Sequence, residues 1–82
     1  MKTATIEKSI EIEYIVTYTL NDDPKMDMHY SETFSTLSDA LGQVELYKEE
    51  FKSNLYSLYI ETRIINISND NEVVNVETTD ML

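Results

Sequence analysis

The stretch IEIEYIVTYTL, Ile10–Leu20, decides the fold, because apolar and aromatic residues recur in it at every second position. Ile10, Ile12, Tyr14, Val16, Tyr18 and Leu20 share one face; Glu11, Glu13, Ile15, Thr17 and Thr19 share the other. Period two in β-branched and aromatic residues is the signature of a strand. The following NDDPK, 21–25, breaks it, since Asn and Asp favour turns and Pro24 has no N–H to give a ladder. Met26 to Phe34 alternates again, with Met26, Met28, Tyr30 and Phe34 on one side, so the two segments read as a hairpin.

The period then changes. In LSDALGQVELYKEEF, Leu37–Phe51, the residues Leu37, Ala40, Leu41, Val44, Tyr47 and Phe51 fall into one stripe at 100° per residue. Thr36 followed by Asp39 is an Asp variant of the capping box, and acids suit the positive end of the helix dipole. Leu55 to Ile67 is β-rich and apolar on both faces, with Tyr56, Leu58, Ile60 and Ile64 on one and Leu55, Tyr59, Ile65 and Ile67 on the other. Both faces of this strand are then covered, or a bulge switches the facing near Glu61–Arg63. SNDNE marks a second turn, and VVNVE, Val73–Glu77, a short final strand. The expected fold is α+β, ββαββ: an antiparallel sheet with one helix packed across one face. It forms a single domain over 1–82, with frayed ends at 1–8 and 78–82. One helix cannot hide both faces of such a sheet. The uncovered face would carry Ile15, Tyr59, Ile65 and Ile67, with Tyr56 replacing Tyr59 in the other register; a homodimer is the economical cover, the chain ends folded over that face the other.

Bulk composition narrows the function. Eighty-two residues are near the lower limit for one unstapled core, and no cysteine supplies a disulfide or thiolate site. Six basic residues against 16 acidic ones give a formal charge of −10. Such a surface repels nucleic acid and anionic membranes, whose affinity for proteins comes from Lys and Arg. It attracts basic protein surfaces and speeds encounter with them. The start, MKTATIEKSIEIEY, lacks the apolar run of a signal peptide, and no run approaches a membrane span. A cytoplasmic location is expected, and NIS at Asn66–Ser68 is then a chance sequon.

No catalytic pattern is present. His29 has Asp27 and Ser31 as same-face neighbours, but three residues in a row on one strand do not make a relay, and no glycine-rich loop offers an oxyanion hole. Asp22, Asp23 and Asp27 in one turn, and Asn69, Asp70 and Glu72 in the other, lack the bend glycine and distant glutamate of a calcium loop. The chain is therefore expected to be no enzyme and to need no metal or cofactor. The six tyrosines belong to core and interface, since base-stacking platforms sit in positive grooves.

The acids themselves form the candidate site. Asp22, Asp23, Asp27 and Glu32 crowd the hairpin, while Asp39, Glu45, Glu49 and Glu50 line the outer helix face around Leu46. Carboxylates on a rigid sheet edge and helix can stand where phosphates would sit in a basic groove. Burying them requires cationic partners. An apolar Leu46 among them is either a harmless surface leucine or the anchor of a binding site.

The segments YIVTYTLNDD (Tyr14–Asp23), a second strand with Tyr30, LSDALGQVELY (Leu37–Tyr47) and a strand with Ile60 and Arg63 resemble the small phage-encoded uracil-DNA glycosylase inhibitors. The likeness covers Tyr14–Arg63, about 50 of the 82 residues, through short motifs. It implies an acidic, dimeric DNA mimic whose helices help grip an apolar side chain of the enzyme's DNA-binding groove. Glu45, Leu46 and Tyr47 would then lie nearest that grip. An N-terminal extension and an extra strand after Asn69 depart from the family's pattern, and either would alter the dimer. Small acidic anti-CRISPR proteins are similar in composition. The expected function is thus a phage-type inhibitor of a DNA-handling or defence protein of the host, binding its basic nucleic-acid surface. The alternative is a structural or accessory oligomerisation module whose acidity serves solubility alone.

Overall fold

A computed structural model describes residues 10–22, 29–67, 70 and 72–82. The elements are β1 (Ile10–Leu20), β2 (Tyr30–Phe34), α1 (Leu37–Phe51), a single 3-10 turn (Lys52–Asn54), β3 (Leu55–Asn66) and β4 (Glu72–Asp80). The four strands form one antiparallel sheet in the order β2-β1-β3-β4, with α1 against it. This is the α+β, ββαββ arrangement that the two hydrophobic periods predict. Among the described residues no helix is long and apolar enough to cross a membrane.

Strand alternation places Tyr14, Val16, Tyr18 and Leu20 toward the helix. Val16 lies beside Ile60 and Tyr18 beside Leu58, and these join Ala40, Val44 and Leu55 in the core. Leu55 belongs there because of a bulge. The β1–β3 register shifts between Thr19 and Leu20, so that Leu20 rather than Asn21 faces Leu55. A second shift lies between Ile64 and Ile65 against β4. Both bulges fall away from Glu61–Arg63, where the sequence alone suggested one, because that stretch pairs in register on both sides.

The helix starts where its cap dictates: the Thr36 hydroxyl oxygen accepts the Asp39 N–H at 3.2 Å. It ends at Lys52, whose φ of 49° is unusual for a residue with a side chain and turns the chain into β3. Asn21 ties this corner to the end of β1. Its N–H donates to the Asn54 carbonyl at 2.7 Å and its side-chain amide to that of Ser53 at 3.0 Å.

Three boundaries differ from the sequence expectation. Within Met26–Phe34 the described strand is Tyr30–Phe34, and 26–28 lie outside the described residues, as do 1–8. The final strand is longer than Val73–Glu77 and the end at 78–82 is not frayed. Thr78, Thr79 and Asp80 continue the ladder opposite Glu61, Ile60 and Tyr59. Met81 then donates its N–H to the Leu58 carbonyl at 2.9 Å and packs on the core. β3 extends far enough to template these residues, and burial of Met81 rewards the pairing.

The helical stripe is also only half used. Ala40 and Val44 are buried and Tyr47 and Phe51 half-buried, but Leu37 and Leu41 remain 46% and 39% exposed. They overhang a cleft of ≈ 400 Å³ walled by Tyr14, Ile60, Thr62 and Met81.

Candidate functional site

The outer face of α1 follows from the same periodicity that builds its inner face. Turning Ala40 and Val44 to the sheet turns Leu46 to solvent, where it is 61% exposed. Asp39, Glu45, Glu49 and Glu50 are exposed on the helix with it. On a helix, residues three and four apart are surface neighbours, so Glu49 and Glu50 stand beside Leu46, as do Gly42 and Gln43 one turn earlier. Leu46 takes no part in the core.

Glu32 approaches the helix from the sheet. It lies opposite Val16, hence on the helix side of β2, and its Oε1 accepts the Tyr47 hydroxyl at 3.1 Å. Tyr47 is one of four rings that close this end of the core. Tyr18 stacks on Tyr30 and on Phe51 with centroids 5.1 Å apart in each case, and meets Tyr47 at 4.4 Å. Burial, then the hydrogen bond to Glu32, pushes the Tyr47 hydroxyl up to about 12. The Tyr18 hydroxyl is raised too, by burial first and then by the nearby Glu50, Tyr30 and Glu32 charges. Glu32 from β2 and Glu50 from α1 therefore act on one aromatic cluster. Strand and helix contribute to a single acidic surface there.

Other expected residues are placed differently. Asp22 is exposed just past β1, while Asp23 and Asp27 lie outside the described residues. His29 is exposed just before β2, with Nδ1 3.2 Å from the Thr19 hydroxyl; Ser31 bonds Thr17 at 3.1 Å. These contacts give His29 and Ser31 separate partners on β1. Among the described residues no group of three or more acids or histidines is placed to hold a metal.

Of the residues expected on the uncovered sheet face, Ile15, Tyr59 and Ile65 do lie opposite the helix by strand alternation. Ile15 and Ile65 are nonetheless closed to solvent, at 9% each, and Tyr59 is half-buried. Ile67, beyond the end of β3, is exposed and lines a groove with Ile10 and Ile12. Exposed apolar residues lie on both sides: Leu37, Leu41, Ile10 and Ile12 on the helix side, and Val73 and Val76, paired with Ile65 and Arg63, on the other.

Comparison with protein-family models, curated proteins and solved structures gives no match.

Two features of the surface escaped the sequence reading. One is the ring cluster, because Tyr18, Tyr30, Tyr47 and Phe51 come from three elements. The other is the edge of β1 at Ile10–Glu13, alongside which no strand lies among the described residues. The mismatch between an eleven-residue β1 and a five-residue β2 is its signal.

Proposed function

We propose that this chain is a non-enzymatic inhibitor of the phage counter-defence type, which occupies the basic nucleic-acid-binding surface of a host DNA-handling or defence protein by DNA mimicry. The observation that supports it is the exposed Leu46 set among the exposed carboxylates of Asp39, Glu45, Glu49 and Glu50, with Glu32 bonded to Tyr47 where helix meets sheet. Carboxylates steer and orient the encounter, and the apolar side chain slows dissociation once buried.

Affinity capture from bacterial lysate at low salt, followed by competition with duplex DNA, tests this function. A nucleic-acid-binding partner that is displaced by DNA and released steeply as salt rises is the expected result. Recovery of no nucleic-acid-handling protein under those conditions sinks it.

A second function, a non-catalytic assembly module whose acidity only keeps it dissolved, draws on the exposed Ile10, Ile12, Leu37 and Leu41. Both functions include a homodimer. Sedimentation separates them when combined with the capture: a self-associating chain with no nucleic-acid-binding partner is the module.

A further inference from the structure

β1 pairs with β3 along its whole length, Ile10 with Asn66 through Leu20 with Leu55. Its other edge pairs with β2 only from Tyr14, opposite Phe34, to Tyr18, opposite Tyr30. After Phe34 the chain turns through Ser35 into α1. Among the described residues, nothing continues the line of β2 alongside Ile10–Glu13. An open groove of ≈ 870 Å³ lies there instead, lined by Ile10–Tyr14 and by Thr33, Phe34 and Ser35. Ile10 is 53% and Ile12 41% exposed. A strand with an unpaired edge beside it is a template for another strand.

We propose that Ile10–Glu13 is a strand-addition site for an extended peptide segment in which basic residues alternate with apolar ones. The alternation of β1 sets that pattern. Residues directly opposite one another in an antiparallel pair project to the same face. The peptide's residues across from Ile10 and Ile12 therefore point to the helix side, where Phe34 continues the apolar surface. Those across from Glu11 and Glu13 point to the other side, where a Lys or Arg meets a carboxylate. Shifting the peptide by one residue would put its charges on isoleucines, so the register is selected as well as the composition. Four paired residues at about 3.3 Å each make a site about 13 Å long.

A second copy of the chain fits this edge poorly. In a symmetric antiparallel pair that keeps both helices on one side, Glu11 faces Glu11 or Glu13 of the other copy. Like charges directly opposite destabilise a strand pair, and each chain carries a formal charge of −10. The site uses residues distinct from the outer face of α1, so it stands or falls separately from the inhibitor function.

The test is a two-dimensional amide NMR titration of the full chain with the peptide acetyl-Lys-Val-Lys-Val-Lys-Val-amide. Two controls are a block-sequence peptide of the same composition and the alternating peptide N-methylated at every second amide. Shifts confined to Ile10–Tyr14 and Thr33–Ser35, at least tenfold weaker binding of both controls, and a similar loss in the exposed-site variant Glu11→Gln are expected. Equal binding of the block peptide, or shifts spread over the whole acidic surface, would overturn the proposal in favour of unspecific charge attraction. Alternate amides of Ile10–Glu13 are bonded to β3, so only the others report on the edge; the proposal is equally overturned if all four resist hydrogen exchange in the free protein, since the edge is then already occupied, by the chain itself in a monomer or by a second copy in a dimer.

Discussion

The two ends of the same sheet have opposite surroundings. At one end Tyr14–Leu20 and Leu55–Ile60 lie under α1, and Val16, Leu58 and Ile60 are closed to solvent. At the other end Ile10–Glu13, Arg63–Asn66 and Glu72–Val76 form a three-stranded extension in which Ile10, Ile12, Val73, Val74 and Val76 stay exposed. The covered segments carry no charged residue, whereas the extension carries Glu11, Glu13, Arg63 and Glu72. Length adds to that difference. A helix of 15 residues spans about 22 Å, whereas a strand of 12 residues spans about 40 Å. One helix covers one half of the sheet, and the other half lies beyond its reach.

Truncation gives the largest expected contrast between the ends. Leu58→Ala removes a fully buried side chain and should cost about 2–5 kcal/mol in chemical denaturation. Val76→Ala, on the extension, should cost below about 1 kcal/mol. Equal losses would mean that the extension is packed in solution, and would point to an assembly that buries it.

Alkaline titration sharpens the picture of the covered end. The Tyr47 hydroxyl is raised to about 12 in the folded chain, above the ordinary 10 of the unfolded one. Between those values the unfolded state loses a proton that the folded state keeps. Stability is therefore full below about pH 10 and falls as pH rises toward 12. Tyr47→Phe should flatten this decline in denaturation midpoints measured across that range. An unchanged slope would show that the Tyr47 hydroxyl is not buried and bonded to Glu32 as described.

Smaller effects probe the outer side of the helix. A β-carbon at Gly42 meets nothing within 4 Å, so Gly42→Ala should raise stability by up to about 1 kcal/mol through helix propensity alone. Leu46→Ala should leave stability within about 0.5 kcal/mol of wild type. In a captured complex the same change should speed dissociation, measured by surface plasmon resonance. A drop in thermal midpoint instead would assign Leu46 to the protein's own packing.

Much of this was legible from residues alone. The change of period at Thr36 located the helix, and the alternation in Ile10–Leu20 separated its inner from its outer face. Leu46 could be placed among acids because a helix has one geometry. The ends of strands were less legible, since Thr78–Met81 carries no strong pattern and pairs only because β3 lies alongside. The ring cluster around Tyr18 was hidden for the same reason: its members meet only after hairpin and helix have folded together.

The order of elements, the antiparallel sheet and the acidic outer helix face are local matters, set by period and charge along the chain. Tertiary structure alone decided how far the helix reaches over the sheet, and so which apolar residues it buries. Leu37 and Leu41 belong to the same stripe as Val44, and only Val44 is closed off. Likewise Ile10 and Ile12 alternate as well as Val16 does, yet β2 ends before reaching them. Periodicity names the face a side chain presents. Whether anything lies against that face depends on the lengths and angles of elements distant in sequence.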